Sequence, residues 1–152
     1  MDARLHGLAL AEPVQSRVRV LESIRLDEVS LKAARSKTQP DVLIVIFESL
    51  QLEMLNDQVM PNTFELGQRG LILQRHFSGG NASNLGIFSL LNGMEATWFP
   101  QSNEFTPLFN ELFHEAGYEI GFYGGTDDWG EFGMAGFIKP DLFDRFEIEP
   151  VD

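Results

Sequence analysis

Glu48 and Ser83 are the residues of this chain whose types and settings most readily do chemistry. Glu48 closes the run VLIVIFESL (Val42–Leu50), whose six leading apolar residues read as a strand buried on both faces, a setting that normally excludes a carboxylate. At the end of a rigid strand its oxygens could take a hard cation, with further oxygen ligands from neighbouring loops. A solvated strand end that accepts backbone N–H groups is the other reading. Ser83 follows the turn Gly79-Gly80-Asn81-Ala82, whose glycines let backbone approach a ligand, and it lands in the first turn of an apolar helix. Unpaired N–H groups and the helix dipole favour an anion there. A hydroxyl so placed could attack phosphorus if a bound metal favoured its alkoxide; an ordinary N-cap serine is the commoner use of such a residue. Asp127 and Asp128, beside Trp129, could cap a helix or bend a loop, and Trp129 could close a pocket or sit half buried. His6, His76 and His114 do not have the spacing of a metal pair, and none is expected to be catalytic.

These residues need elements to hold them. Val14, Val18, Leu21 and Ile24 fall on one helical face, so a short amphipathic helix is expected over Val14–Ile24, followed by a polar linker to Pro40. After the first strand, Pro61 to Arg69 reads as a helix stopped by a left-handed Gly70. Leu71–Phe77 reads as a second strand and Leu85–Leu91 as a helix ending at Asn92-Gly93. A further helix opens at Thr106-Pro107, turns Leu108, Leu112, Phe113 and Ala116 to the core, and closes at Gly117 before a strand over Tyr118–Tyr123. Alternating strands and helices predict an α/β fold with a mostly parallel sheet flanked by helices. Ligands of such sheets bind beyond the carboxyl ends of the strands, where the loops bearing Glu48, Ser83 and Trp129 are expected to converge.

Composition narrows the function classes. The chain has 152 residues, 43% of them hydrophobic, with 13 Phe and 14 Gly, enough for one globular domain. It has no Cys, which removes disulfides, thiolate metal sites and a cysteine nucleophile. Its net charge of -12 is uneven: residues 1–40 hold seven Lys/Arg against five Asp/Glu, and residues 41–152 hold four against eighteen, a net -14. Such an acidic body repels nucleic acid and anionic membranes and welcomes a cation. No run of 18 apolar residues exists, and the start MDARLHGLALAEP has no long apolar core, so neither a membrane span nor a signal peptide is expected.

Taken in order, PDVLIVIFESLQ, VMPNTFELGQRG, HFSGGNASNLGIFSLLNGM and LFNELFHEAGYEIGFYGG resemble the alkaline phosphatase and sulfatase superfamily. The closest likeness is to its branch of lipoteichoic acid synthases and related membrane-anchored phosphotransferases. It spans roughly Pro40 to Gly125 and continues more weakly to Phe146. The resemblance implies an alkaline phosphatase-like fold, here incomplete, with 1–39 as helix and linker and 40–152 as the N-terminal portion of a sulfatase-like domain. It implies that Glu48 is a metal ligand, that Ser83 is both nucleophile and metal ligand, and that Trp129 contacts substrate. The implied cofactor is Mn²⁺, Mg²⁺ or Zn²⁺, and oxygen-rich ligation suits the first two best. The implied substrate is a phosphate ester, less readily a sulfate ester, on a lipid-linked molecule at the periplasmic or extracellular face of the membrane.

Departures from the family pattern shape these expectations. Sulfatases carry Pro and Arg at fixed spacing after the nucleophile position, and Ser83-Asn-Leu-Gly-Ile has neither, which favours phosphoryl over sulfate chemistry. A one-residue shift in the matching would put Ala82 at the nucleophile position, and Glu131 stands near where the branch has an Arg. The Asp-His pair that completes the family's metal site has no match before Asp152, so the chain reads as a fragment inactive alone. Half of a doubly wound sheet would also expose an unpaired edge, a cause of association. The alternative function is a non-catalytic lipid-sensing or regulatory domain of the same fold.

Overall fold

The computed structural model describes residues 39–125 and 132–148. The expected Val14–Ile24 helix, most of its linker, His6, Asp127, Asp128, Trp129 and Glu131 lie outside these described residues. Three α-helices occur among them: α1 (Pro61–Gln68), α2 (Ser83–Asn92) and α3 (Leu108–Glu115). Two strands follow, β1 (Gly121–Gly124) and β2 (Arg145–Ile148). Short 3-10 segments join them, the longest over Ala96–Glu104.

α2 is the centre of the packed body. Its chain enters in extended conformation at Ala82 and leaves through Gly93, whose φ of 62° is left-handed and whose N–H bonds the Ser89 carbonyl at 3.0 Å. In between, LGIFSLL supplies apolar residues on nearly every side, as a helix packed from several directions requires. Phe88 is wholly buried, its ring 5.9 Å from that of Phe99, 6.4 Å from Phe105 and 5.4 Å from Phe137. Phe105, Met134, Phe137 and Ile138 complete this buried cluster. Each wholly buried Phe stabilises the fold by about 2–3 kcal/mol. The Ala96–Glu104 segment and α3 pack directly on α2. α3 begins after Pro107 and closes at Gly117 (φ 84°), as the sequence predicts. Its buried Asn110 donates from Nδ2 to the Leu142 carbonyl at 2.8 Å, tying α3 to the approach to β2.

β1 and β2 pair in parallel, with Phe122 opposite Phe146. Those two rings stack at 4.9 Å, and Phe143 packs on both. Just before the pair, Ile120 N–H donates to the Asp144 carboxylate at 2.7 Å and Asp144 N–H donates to the Ile120 carbonyl at 2.9 Å, which fixes the register. β1 starts three residues later than the expected Tyr118. β2 was not expected, although Arg145-Phe-Glu-Ile alternates exposed and half-buried positions with a strand's period of two.

Three expectations fail. Val42–Phe47 forms no strand: Val42 is 51%, Leu43 87% and Phe47 53% exposed. Leu71–Phe77 forms none either, with Leu71 at 81% and Phe77 at 85%. An apolar run becomes a buried strand only when a ladder partner and a covering layer exist, and among the described residues the one ladder is β1 with β2. The third is Gly70, which is not left-handed: α1 ends at a right-handed Arg69 whose N–H bonds Leu66 and Gly67 carbonyls.

Candidate active site

Glu48 and Ser83, 35 residues apart in sequence, meet. The Ser83 hydroxyl donates to Glu48 Oε1 at 2.9 Å, and both residues are exposed, so a ligand can reach the pair. Glu48 is placed by a turn rather than by a strand end. Ser49, the second residue of that turn, has a φ of 56°, the left-handed region that costs a non-glycine residue roughly 1–2 kcal/mol. Ser83 is the first helical residue of α2, with Ala82 in the N-cap position, so the N-cap reading of Ser83 is displaced by one residue. Its hydroxyl is turned to Glu48, while the first-turn amides of α2 present the positive end of the helix dipole beside it.

The glycines of the turn also serve packing within the protein. A Cβ on Gly79 would lie 2.2 Å from Ser89 Oγ, and one on Gly80 would lie 2.4 Å from Leu85 Cβ. Within α2, a Cβ on Gly86 would lie 2.6 Å from Ser78 Oγ. These glycines allow the turn to lie against α2 itself, which sets where the helix begins and where Ser83 stands. The close approach seen here is of the turn to the helix.

Asn84 was not singled out by sequence reasoning. Its Nδ2 donates to the Phe132 carbonyl at 2.8 Å, and its Oδ1 accepts the Leu85 N–H at 2.9 Å. It ties the helix start to the chain just beyond residues 126–131. The signal was faint: a polar residue in the first helical turn suits a solvent-facing position equally well. At the far side of the body, Tyr118 OH donates to the Pro40 carbonyl at 3.1 Å, and Gln39 Nε2 bonds the Ala116 carbonyl, which anchors the chain as it leads toward Glu48.

Two oxygen donors 2.9 Å apart fit part of the shell of a hard divalent cation, which takes six or more oxygens in the case of Ca²⁺ and six for Mg²⁺. Among the described residues no group of three or more His, Cys, Asp or Glu side chains gathers to complete one. His114 lies on α3 with Nε2 3.3 Å from the Leu142 carbonyl, beside the Asn110 contact, and His76 is exposed. Ala82 presents only a methyl group at the position next to Ser83.

Comparison with known proteins places this stretch in a family. The family model described as Sulfatase matches residues 40–145, which contain both Glu48 and Ser83. An uncharacterized protein of Haemophilus influenzae is 22% identical over 111 residues, covering 70% of this chain and 19% of its own length. The chain thus spans about a fifth of that relative. No solved structure matches the chain.

Proposed function

The chain belongs to the sulfatase family, whose substrates are esters and whose members generally use a divalent metal, and we propose that Glu48 and Ser83 are the part of an ester-cleaving site that this stretch contributes. The hydrogen bond from Ser83 Oγ to Glu48 Oε1 carries the reading. The domain is taken to begin at Pro40 and to have the alkaline phosphatase-like arrangement, in the branch that resembles lipoteichoic acid synthases. The substrate is a phosphate ester, on a lipid-linked molecule outside the cytoplasm. The absence of Pro and Arg after Ser83 supports phosphate over sulfate.

Glu48 and Ser83 would hold the metal, Mn²⁺ or Mg²⁺ by the hardness of their oxygens, with Zn²⁺ as the third choice. Bound there, the ion supplies Lewis-acid stabilisation of the charge on the transferring group. The protein's own part begins with Glu48, which orients the Ser83 hydroxyl and receives its proton as Oγ bonds to phosphorus. The bond from phosphorus to the ester alcohol breaks opposite the incoming oxygen, and the alcohol departs with a proton from solvent. Water or an acceptor alcohol then cleaves the phosphoserine. The first-turn amides of α2 face the developing negative charge. Trp129, by the resemblance to lipoteichoic acid synthases, would contact substrate. Two side chains do not fill a divalent ion's shell, so turnover depends on further ligands beyond these two.

The test is turnover of an aryl phosphodiester and an aryl sulfate by the full-length protein with Mn²⁺. The phosphodiester should be preferred, and Ser83→Ala should lower its turnover on the order of 10³-fold or more. Unchanged turnover in that variant would move the nucleophile elsewhere. No turnover by the parent protein would support the non-catalytic, lipid-binding alternative.

A further inference from the structure

Ser83 opens α2, and the N-cap position before it does nothing to fix the helix start. That position is Ala82, whose methyl accepts no hydrogen bond, where Ser, Thr, Asn or Asp takes a first-turn N–H. Asn84 supplies what Ala82 lacks. Its Oδ1 accepts the Leu85 N–H at 2.9 Å, an amide within reach of an N-cap side chain, and its Nδ2 donates to the Phe132 carbonyl at 2.8 Å. The first bond satisfies an amide of the opening turn. The second ties that turn to the segment that runs on into buried Met134, Phe137 and Ile138. Helix ends without such partners fray, and Ser83, as the first helical residue, is lost first.

We propose that Asn84 is a positioning residue for Ser83: by capping and tying the first turn of α2, it keeps the Ser83 hydroxyl on Glu48. The amide side chain suits the task, since one residue brings both the acceptor for Leu85 and the donor for Phe132. Ser83 is thereby held from two directions, through its own bond to Glu48 and through its neighbour's bond to Phe132. The effect of Asn84 on turnover rests on the nucleophile reading of Ser83; its effect on the helix start does not.

The test uses the full-length protein as Asn84→Ala, as the double variant Ala82→Asn with Asn84→Ala, and as Ser83→Ala for reference. Hydrogen exchange at the Gly86 amide reports the helix start, because that N–H bonds the Ala82 carbonyl at 3.0 Å and is released when the first turn opens. Asn84→Ala should speed this exchange by about fivefold. It should also lower kcat for the aryl phosphodiester by about fivefold or more, with KM within about twofold. An asparagine in the N-cap position can accept the same Leu85 N–H, so the double variant should recover most of both. Loss of stability alone leaves kcat per folded molecule unchanged. Unchanged Gly86 exchange in Asn84→Ala overturns the proposal, as does a loss of kcat that the double variant does not recover. So does unchanged kcat in Asn84→Ala when Ser83→Ala abolishes turnover. If Ser83→Ala keeps full turnover, the nucleophile reading fails, and faster Gly86 exchange rescued in the double variant still upholds Asn84 as the residue that holds Ser83 in place.

Discussion

Phe88 and Phe47 flank the two halves of the candidate site, and they live in opposite surroundings. Phe88, five residues after Ser83, is wholly buried among three other rings; Phe47, the residue before Glu48, is 53% exposed. The serine therefore stands on a helix whose position is over-determined by packing. The glutamate stands on a turn, through a left-handed Ser49, and meets the packed body at Ser83. One side of the site is preorganised by burial, and the other is positioned by a solvent-exposed hydrogen bond, a far weaker constraint. A site built this way is rigid at the serine and adjustable at the glutamate.

The contrast can be broken at its strong side first. Phe88→Ala should destabilise the chain by about 3–5 kcal/mol in urea unfolding, whereas Leu43→Ala should stay within about 0.5 kcal/mol at concentrations where the chain is monomeric. Equal losses would mean that the two regions form one core. A smaller effect is expected at the glycine turn. Gly79→Ala should cost about 1–3 kcal/mol, because the new methyl meets Ser89 on α2 at 2.2 Å and the turn must shift. Ser89→Gly should recover part of that loss. No recovery would mean that the turn does not lean on the helix.

The packed half of the molecule was the legible half. Pro61, Pro107, Gly93 and Gly117 mark helix boundaries by local backbone chemistry, which needs no distant partner, and all four stand where the sequence put them. Gly70 did not, since a short helix can also end right-handed with 3-10 bonding. The strands were less legible because a strand is half of a pair. Val42–Phe47 has the stronger apolar signal yet lacks a ladder among the described residues, while Arg145–Ile148, with two charged residues in four, finds one through Phe146 on Phe122. At the site, Glu48 and Ser83 could be singled out by residue type and setting, but their 2.9 Å contact could not, because it depends on how a turn and a helix start meet in space. Asn84 stayed hidden for the same reason: its partner is a backbone carbonyl 48 residues away, which leaves no trace in side-chain pattern.

The central claim is that Glu48 and Ser83 act as one cation-binding pair, and a Mn²⁺ titration of the full-length protein followed by electron paramagnetic resonance addresses it directly. The account predicts about one tightly held ion per chain, a loss of affinity of about 100-fold or more in Glu48→Ala, and a smaller loss, on the order of tenfold, in Ser83→Ala. Full occupancy with unchanged affinity in Glu48→Ala would contradict it.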